Sequence, residues 1–411
     1  SHAVMIGNIL HQAGYLFHVT RDHAFKDEEL FYRFAVDEDH GRKADAAEGG
    51  SISWSDFLGP ATSTHGDRLP SLAEYDEDPV ALGLEATKGV EPPDEYNTEL
   101  LEQVHPRNWV NPEPEDRYNI VVIGAGTGGL VTAAAVAGLG GKVALVEKHL
   151  MGGDCLNFGC VPSKALLRSA KAAADARNAS QFGVHIDGEV RVDFGDVMER
   201  LRRIRAEISH HDSAERFARE LGVDVFIGEG RFTGPNTVDV EGTELNFAKA
   251  CIATGGSPGL PPIPGLEDAP HFTNMSLFNL TERPPRFGVI GGGVIGAEMA
   301  QAFSRLGSQV TLFELGDRIL AREDADAAGV VQQSLRDDGV EFVFDANIER
   351  VSHQPPPHDD AFPTVTLHLA DAPEVEVDAL LVATGRRPNV DGLGLEKAGI
   401  DYDVRTGAAA A

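Results

Sequence analysis

Apolar positions between residues 118 and 400 repeat a strand, turn, helix, strand pattern. An apolar run at residues 120–123 leads into a glycine turn and an alanine-rich stretch, and a second apolar run follows at residues 143–146. The same order recurs with apolar runs at residues 287–290 and 310–313 on either side of a second glycine turn and helical stretch. Alternation of short apolar runs with helical segments is typical of a parallel sheet covered by helices. The pattern therefore predicts an α/β fold that contains two Rossmann-like units.

Two different segments precede this pattern. Residues 1–37 are rich in aromatic residues and contain candidate strands at residues 15–19 and 30–34 after a short helical pattern, which predicts a small α+β segment. From residue 38 to residue 117 the composition shifts to Asp, Glu, Gly, Pro and Ser, which predicts an acidic, mostly extended linker. We expect Trp109 to mark the point where this linker docks on the domain that follows.

Each glycine turn has the spacing of a dinucleotide-binding turn. In such a turn the first glycine permits a tight bend, the second lets the backbone approach a pyrophosphate, and the third lets helix and strand pack closely. The glycines in these positions are Gly124, Gly126 and Gly129 in the first unit and Gly291, Gly293 and Gly296 in the second. An acid, Glu147 or Glu314, lies 23 residues after the first glycine of each turn and is suited to accept hydrogen bonds from ribose hydroxyls. The repetition predicts two bound dinucleotides.

The acid of the second unit also bears on the choice of nucleotide. Glu314 would bond a free 2′-hydroxyl and repel a 2′-phosphate, so NADH is favoured over NADPH at this site. A nearby Arg318 or Arg322 would offset that repulsion.

Two cysteines, Cys155 and Cys160, lie five residues apart between the units. Residues at this separation on a regular helix have Cα atoms roughly 8.6 Å apart, beyond the limit of about 7 Å for a disulfide. The double glycine before them and Gly159 allow a distorted backbone, and Pro162 is tolerated in a first helical turn, so we expect an irregular helix start. Backbone N–H groups there and the cation of Lys164 would lower a thiol pKa, which indicates a reactive pair. Two buried structural thiols are the alternative interpretation.

Composition narrows the class of protein. Asp and Glu outnumber Lys and Arg by 65 to 35, and the net charge of −30 disfavours binding to nucleic acid or to an anionic membrane. Three cysteines cannot form a disulfide framework, and a close pair suits a reducing compartment, so a cytoplasmic location is expected. Cys251 lies in an apolar run and is interpreted as a buried strand residue. His18 and His23 have no cysteine nearby, and no metal site is predicted.

Residues 118–400 resemble the pyridine nucleotide–disulfide oxidoreductases related to dihydrolipoamide dehydrogenase, glutathione reductase and mercuric reductase. The segment from Cys155 to Lys164 is similar to the lipoamide and mercuric reductase branches, and the sequence around Trp109 resembles bacterial proteins labelled mercuric reductase. The resemblance implies a glutathione-reductase-type fold. It implies a FAD-binding domain at residues 118–270, an NAD(P)-binding domain at residues 271–385 and a return to the FAD domain from residue 386 to residue 411.

The resemblance also implies roles for individual residues. Cys160 would face the flavin and form the charge-transfer complex, while Cys155 would exchange with substrate. Glu298 would pair with Lys164 near the flavin. The remaining implied cofactor contacts, beyond the two glycine turns and their acids, are Gly153, Lys164, Gly230, Thr254, Gly255 and Gly385.

Two features of the family are not visible in the sequence. The chain ends before the later Gly-Asp motif that contacts FAD and before the C-terminal interface domain, which carries a His–Glu pair used across the homodimer. We therefore expect an incomplete catalytic unit. The terminal cysteines of many mercuric reductases are also not visible, which weakens the mercury assignment.

The leading hypothesis is transfer of electrons from NAD(P)H through FAD to Cys155 and Cys160 and then to mercuric ion or a small disulfide. One alternative is oxidation of a dithiol like dihydrolipoamide. A second is a non-catalytic redox-sensing protein, in which residues 1–37, which resemble the second half of a DEP domain, recruit a signalling partner or a membrane. A transhydrogenase is the third, and it would need no cysteine pair.

Overall fold

The computed structural model describes residues 89–358, 361–403 and 409–410. The expectations for residues 1–37, including the DEP-like resemblance, and for the linker up to residue 88 lie outside these ranges. Within them the chain forms two α/β units, which confirms the predicted fold class.

A six-stranded sheet with strand order β3-β2-β1-β6-β5-β4 forms the first unit. Its strands are β1 (Tyr118–Ile123), β2 (Val143–Glu147), β3 (Asp224–Ile227), β4 (Gly230–Gly234), β5 (Thr237–Val240) and β6 (Thr243–Ile252). The pairs β3–β2, β2–β1 and β1–β6 are parallel, whereas β4, β5 and β6 form an antiparallel meander. All of β2 is buried, as its run of Val, Ala and Leu predicts for a parallel strand covered on both faces.

Helices surround this sheet and carry the cysteine pair. They are α1 (Glu95–Val104), α2 (Thr127–Gly138), α3 (Gly153–Asn157), α4 (Cys160–Asn178), α5 (Phe194–Ser209) and α6 (Ala214–Arg219). Three of them begin at a capping side chain, since Asp94, Asp193 and Ser213 each accept a hydrogen bond from the backbone N–H three residues later.

The second unit repeats the parallel part of the first. After the short strand β7 (Gly256–Pro258), its sheet has the order β10-β9-β8-β14, with all neighbours parallel. The elements are β8 (Arg286–Ile290), α7 (Val294–Leu306), β9 (Gln309–Phe313), α8 (Ala325–Asp337), β10 (Glu341–Val343) and β14 (Ala379–Val382). A separate antiparallel sheet contains β11 (Ile348–Gln354), β12 (Thr364–Leu369) and β13 (Val375–Val377).

The chain then returns to the first unit. Strand β15 (Arg386–Pro388) pairs antiparallel with β7, and Leu393 and Leu395 pack in the core formed by β1, β4 and β5. The final described pair is β16 (Asp401–Tyr402) with β17 (Ala409–Ala410). Helices α4 and α5 also pack against α7 of the second unit in one buried cluster that includes Leu166, Leu201 and Phe303.

The expectation of an extended linker is wrong for residues 95–104, which form α1. Asp94 caps this helix, and Leu100 and Val104, one helical turn apart, are fully buried in the first unit's core. The acidic composition masked this short periodic signal. Trp109 does dock on the first unit, since its Nε1 donates to the Val225 carbonyl at 3.1 Å.

The boundary expected at residue 270 lies earlier in the structure. Leu266 and Ala269 are buried in the second unit's core beside Ile290 and Phe313. The second unit therefore begins directly after β7.

Candidate functional site

The first glycine turn joins β1 to α2 with no room for side chains. Gly124 has a φ of +100°, and a Cβ there would lie 2.4 Å from the Ala253 carbonyl oxygen. A Cβ on Gly129 would lie 1.8 Å from the Gly124 carbonyl oxygen. The first and third glycines are therefore required by the turn and by the close approach of the helix to the strand.

Glu147 closes this turn from the end of β2. Its Oε2 accepts a hydrogen bond from the Ala125 N–H at 2.7 Å, and its Oε1 accepts one from the His149 N–H at 2.8 Å. Burial raises the pKa of Glu147, although the two backbone donors favour the carboxylate. The carboxylate retains lone pairs for ribose hydroxyls while it holds the turn in shape.

The second glycine turn reproduces this geometry. A Cβ on Gly296 would lie 1.9 Å from the Gly291 carbonyl oxygen. Glu314 accepts hydrogen bonds from the Gly292 N–H at 2.6 Å and the Gly316 N–H at 2.9 Å. The repeated pattern seen in the sequence is thus a repeated set of contacts.

The helices after the two turns leave their first N–H groups without a capping side chain. Gly126 precedes α2 and Gly293 precedes α7, and neither helix has a side-chain cap hydrogen bond, unlike α1, α5 and α6. Free N–H groups at a helix start bind phosphate. Both turns therefore fit the pyrophosphate of a dinucleotide.

The other predicted cofactor contacts lie around the first turn and the crossing between units. A Cβ on Gly153 would lie 2.6 Å from the Gly126 Cα, and Gly230 packs against Val146 beside the carboxyl end of β2. The Thr254 hydroxyl donates to the Asn389 carbonyl at 2.6 Å, which ties the turn at Thr254 and Gly255 to the segment after β15. Gly385 lies in the matching turn after β14, and its carbonyl accepts a hydrogen bond from the Gly259 N–H at 2.9 Å.

The cysteine pair spans a break between two helices. Helix α3 ends at Asn157 and α4 begins at Cys160, with Gly159 at φ −135° and ψ −107° between them. The structure therefore has the irregular helix start that the spacing predicts. Both thiols are free, and Cys160 is exposed whereas Cys155 is half-buried.

The two thiols differ in acidity. A hydrogen bond from the Cys155 thiol, followed by the charge of Lys164, lowers the pKa of Cys160 to about 7 against the opposing effects of burial and of Asp154. The same hydrogen bond and burial raise the pKa of Cys155 well above its usual range. At pH 7 about half of the molecules therefore have a Cys160 thiolate that accepts a hydrogen bond from the Cys155 thiol.

Lys164 and Glu298 form an ion pair that joins the two units. Lys164 Nζ lies 2.6 Å from Glu298 Oε1, and the side chains are 34% and 25% exposed. Lys164 is on the first turns of α4 and Glu298 is on α7, so the pair implied by the resemblance is present. It places a cation one helical turn after Cys160.

Sequence reasoning missed Asp154 and its partners. Asp154 accepts a hydrogen bond from Asn274 Nδ2 at 2.8 Å and lies 3.4 Å from Arg386 Nη1. Its carboxylate opposes the thiolate form of Cys160. Its position directly before Cys155 was the available signal, whereas its partners, more than a hundred residues away, could not be predicted from local pattern.

Asp212 is a second carboxyl that sequence reasoning missed. It follows α5 in a 3₁₀ turn and approaches Gly152, since a Cβ on Gly152 would lie 3.0 Å from Asp212 Oδ2. Burial raises the pKa of Asp212 to about 6, and its charge in turn raises the pKa of Cys155. Nothing in the local sequence distinguishes it from a surface acid.

Two further expectations need adjustment. Cys251 lies in β6 as predicted, but it is half-buried rather than buried, and its Sγ donates to the Thr132 hydroxyl at 4.0 Å. Arg318 donates to the backbone carbonyls of Leu320, Ala321 and Glu323 at 3.0 to 3.2 Å. Its guanidinium is thus engaged by the loop after β9.

Residues 89–358, 361–403 and 409–410 lack both a membrane-spanning helix and a cluster of metal ligands. No helix there is both long and apolar enough to cross a membrane. The same ranges contain no group of three or more His, Cys, Asp or Glu side chains arranged to hold a metal ion.

Comparison with known proteins gives consistent matches over the two units. The sequence profile of the pyridine nucleotide-disulphide oxidoreductase family matches residues 118–409. A dihydrolipoyl dehydrogenase from Acholeplasma laidlawii is 36% identical over 290 residues, which cover 70% of this chain and 83% of that protein. A mercuric reductase from Lysinibacillus sphaericus is 34% identical over 322 residues, which cover 77% of this chain and 58% of that protein.

Solved structures give the same result. The Cu(II) complex of the HOCl-induced flavoprotein disulfide reductase RclA from Escherichia coli matches with a TM-score of 0.61 and 33% identity, and the match covers 72% of this chain and 62% of that one. This chain therefore spans less than two thirds of the RclA chain and of the Lysinibacillus mercuric reductase.

Proposed function

This chain belongs to the pyridine nucleotide-disulphide oxidoreductase family, and we propose that it carries the electron path of a flavin-dependent reductase from NADH to a cysteine pair. The observation that supports this most directly is the arrangement at the helix break. An acidic Cys160 thiol accepts a hydrogen bond from Cys155 and lies one turn before the ion pair of Lys164 with Glu298.

The two glycine turns and their acids would hold the cofactors. The first glycine turn with Glu147 would hold FAD, and the second with Glu314 would hold the nicotinamide nucleotide. FAD, when bound, would accept an electron pair from the nicotinamide and pass it to the disulfide.

Reduction of the cysteine pair takes up two electrons and a number of protons that depends on pH. Reduction of a Cys155–Cys160 disulfide breaks one S–S bond and takes up two electrons. Cys155 takes one proton, because its pKa is raised, and Cys160 takes a second only below about pH 7, because its pKa is lowered. Lys164 compensates the charge of the thiolate that remains.

The nucleotide in the second unit is proposed to be NADH. Glu314 already holds the turn through two backbone N–H groups and would present negative charge to a 2′-phosphate. The Arg318 guanidinium, one of the two candidates to offset this repulsion, is engaged by three carbonyls of its own loop.

Mercuric ion is the proposed acceptor. The Cys160 thiolate and the Cys155 thiol are soft donors suited to Hg(II). The metal ion would displace the Cys155 proton to solvent, take two electrons from the two sulfurs, leave as Hg(0) and leave the cysteines as a disulfide. The matching mercuric reductases support this choice. Dihydrolipoamide-like dithiol chemistry is the second candidate, supported by the matching dihydrolipoyl dehydrogenases.

The experiment is an anaerobic titration of the FAD-loaded full chain with NADH. We expect a long-wavelength charge-transfer band that Cys160→Ser removes and Cys251→Ser keeps. An identical spectrum in wild type and Cys160→Ser would overturn the proposed electron path. Oxidation of NADH by Hg(II), lipoamide and quinones, compared at equal concentration, then ranks the acceptors, and absence of turnover with all of them would favour a redox-sensing role.

A further inference from the structure

Residues 89–111, which we call the strap, precede the part of the chain matched by the family profile. The strap contains α1 and runs from the second unit to the free edge of β3, where Asn111 forms two hydrogen bonds with Ile227 at 2.8 and 3.0 Å. Between these ends it contacts residues 149–160, which we call the redox segment.

The end of α1 holds the start of the redox segment. The Met151 N–H donates to the Val104 carbonyl at 3.0 Å, and His105 Nδ1 donates to the His149 carbonyl. Met151 is fully buried in the same cluster as Val104. The backbone that leads into the double glycine is therefore fixed by the strap.

Arg205 connects the strap to the backbone between the two cysteines. Its side chain lies on α5 and is fully buried. Nη1 donates to the Asn157 carbonyl at 2.9 Å, and Nη2 donates to Asn97 Oδ1 on α1 at 2.6 Å. Asn157 is the last residue of α3, so this bond acts on the point at which the chain turns from Cys155 to Cys160.

The environment of Arg205 is unusual for a residue that only fills space. Among the described residues it makes no ion pair, because the neighbouring Asp94 pairs with Arg202. Burial lowers the pKa of Arg205 to about 10. A buried cation held by neutral amide oxygens costs stability relative to an apolar side chain of similar size. Its fork geometry, in contrast, can fix two acceptors at once.

The strap also contacts the second unit. Asn279 Nδ2 donates to the Gly89 carbonyl at 2.9 Å, and the Glu91 N–H donates to Asn279 Oδ1 at 3.1 Å. The strap is thus anchored at both ends and touches the redox segment in its middle.

We propose that the strap is a positioning element for the redox cysteines and that Arg205 is its positioning residue, which fixes the Asn157 carbonyl and through it the spacing of the Cys155 and Cys160 thiols. This inference rests on the proposed function only in that it takes these cysteines as the redox pair.

The consequence is measurable in the acidity of Cys160. The hydrogen bond from Cys155 is the largest cause of the lowered pKa, so a looser α3–α4 break raises the pKa toward the ordinary thiol value of about 8.5. The other charged groups around the pair are Asp154 on α3 with its neighbour Arg386 on β15, Lys164 on α4 with its partner Glu298 on α7, and Asp212 after α5. Substitutions at residues 97 and 205 leave all of these in place.

The test is the pH dependence of Cys160 alkylation by iodoacetamide in the reduced full chain, with the modified cysteine identified by mass spectrometry. Arg205→Met removes both bonds and the buried charge. Asn97→Ala removes the hydrogen bond between the strap and Arg205 but keeps the guanidinium. It therefore distinguishes the effect of positioning from the effect of the buried charge. Arg203→Met is the matched control, because Arg203 is exposed on the same helix and pairs only with Glu207 among the described residues.

We expect the alkylation rate at pH 7 to fall about three- to tenfold in Arg205→Met and about twofold in Asn97→Ala, as the thiolate fraction falls. Arg203→Met should match wild type, and Arg205→Lys should be intermediate. Circular dichroism melts establish which variants are folded, and Asn97→Ala decides the matter if Arg205→Met does not fold. If the folded variants keep the wild-type pH profile, the strap contributes packing alone and does not position the cysteines. A shifted profile in a chain that does not oxidise NADH would instead uphold the strap and overturn the proposed function.

Discussion

The two dinucleotide units have the same glycine turn, but the acid beside it is more buried in the first unit than in the second. In each unit the acid at the end of the second strand accepts a hydrogen bond from the turn, from Ala125 at 2.7 Å in the first and from Gly292 at 2.6 Å in the second. Glu147 is only 9% exposed, whereas Glu314 is half-buried. The two turns therefore make the same hydrogen bond with their acids, but the acid of the second turn is more exposed to solvent.

The difference comes from the segment that follows each acid. In the first unit the double glycine folds back onto the turn, with Gly152 and Gly126 paired as an isolated bridge, and the strap holds this segment down. In the second unit the corresponding loop begins with Leu315, which is 77% exposed. The first turn is therefore enclosed by the segment that follows its acid, whereas the loop beside the second turn begins at the surface.

The largest effect is expected from substituting the third glycine of each turn, and it tests whether the two dinucleotide sites bind independently. Gly129→Ala and Gly296→Ala each place a Cβ within 2 Å of a backbone oxygen, so each should strongly weaken binding in its own unit. We expect Gly129→Ala to lose FAD on gel filtration, whereas Gly296→Ala keeps the flavin absorbance and weakens NADH binding at least tenfold. Gly329→Ala, on α8 with open space around it, is the control. Loss of FAD from Gly296→Ala would show that the units do not bind separately.

A tenfold effect is expected at the acids. Glu314→Ala removes both the bond to a 2′-hydroxyl and the repulsion of a 2′-phosphate, so the preference for NADH over NADPH should fall about tenfold, or about 1.4 kcal/mol. Glu147→Ala should leave that preference unchanged and instead lower the melting temperature by several degrees, because one buried and one partly buried N–H group lose their acceptor. An unchanged ratio in Glu314→Ala would remove Glu314 from nucleotide selection.

A smaller effect is expected where the units meet. Lys164→Met removes a charge that lowers the pKa of Cys160, so the alkylation rate of Cys160 at pH 7 should fall about threefold to fivefold. Glu298→Gln should move the rate in the opposite direction by less, because Lys164 loses the carboxylate that shares its charge. Equal rates in wild type and Lys164→Met would mean that the ion pair does not act on the thiol.

The smallest effect is expected at Asp154. Asp154→Asn removes a charge that raises the pKa of Cys160, so the alkylation rate at pH 7 should rise by at most about twofold, since about half of Cys160 is already thiolate there. The gain should widen at pH 6, where wild type loses thiolate because its pKa lies above that pH. A slower rate at pH 6 than in wild type would contradict the assigned sign.

The sequence allowed prediction of features that depend on local spacing. The glycine turns, the acids Glu147 and Glu314, and the break between Cys155 and Cys160 all follow from short patterns in which each residue type has one geometric task. The pairing of Lys164 with Glu298 followed from family resemblance, since 134 residues separate them.

The strap could not be predicted because its contacts are long-range and polar. Arg205 lies on the same face of α5 as Leu201 and Met198, a position where pattern predicts an apolar residue, and its partner Asn97 is 108 residues away. Residues 89–117 also contain few apolar positions, so their composition favoured an extended linker. The physical cause is that a buried polar network is specified by complementary partners rather than by periodicity.

The antiparallel pair of β7 and β15 makes the second unit a loop whose two ends touch. The chain enters it at Gly259 and leaves it at Gly385, and one hydrogen bond of 2.9 Å joins these residues. A module with adjacent ends can be exchanged for another without displacing its host. The second unit could thus be replaced by a unit with a different coenzyme preference. The replacement would need a helix face like that of α7 to pack against helices α4 and α5.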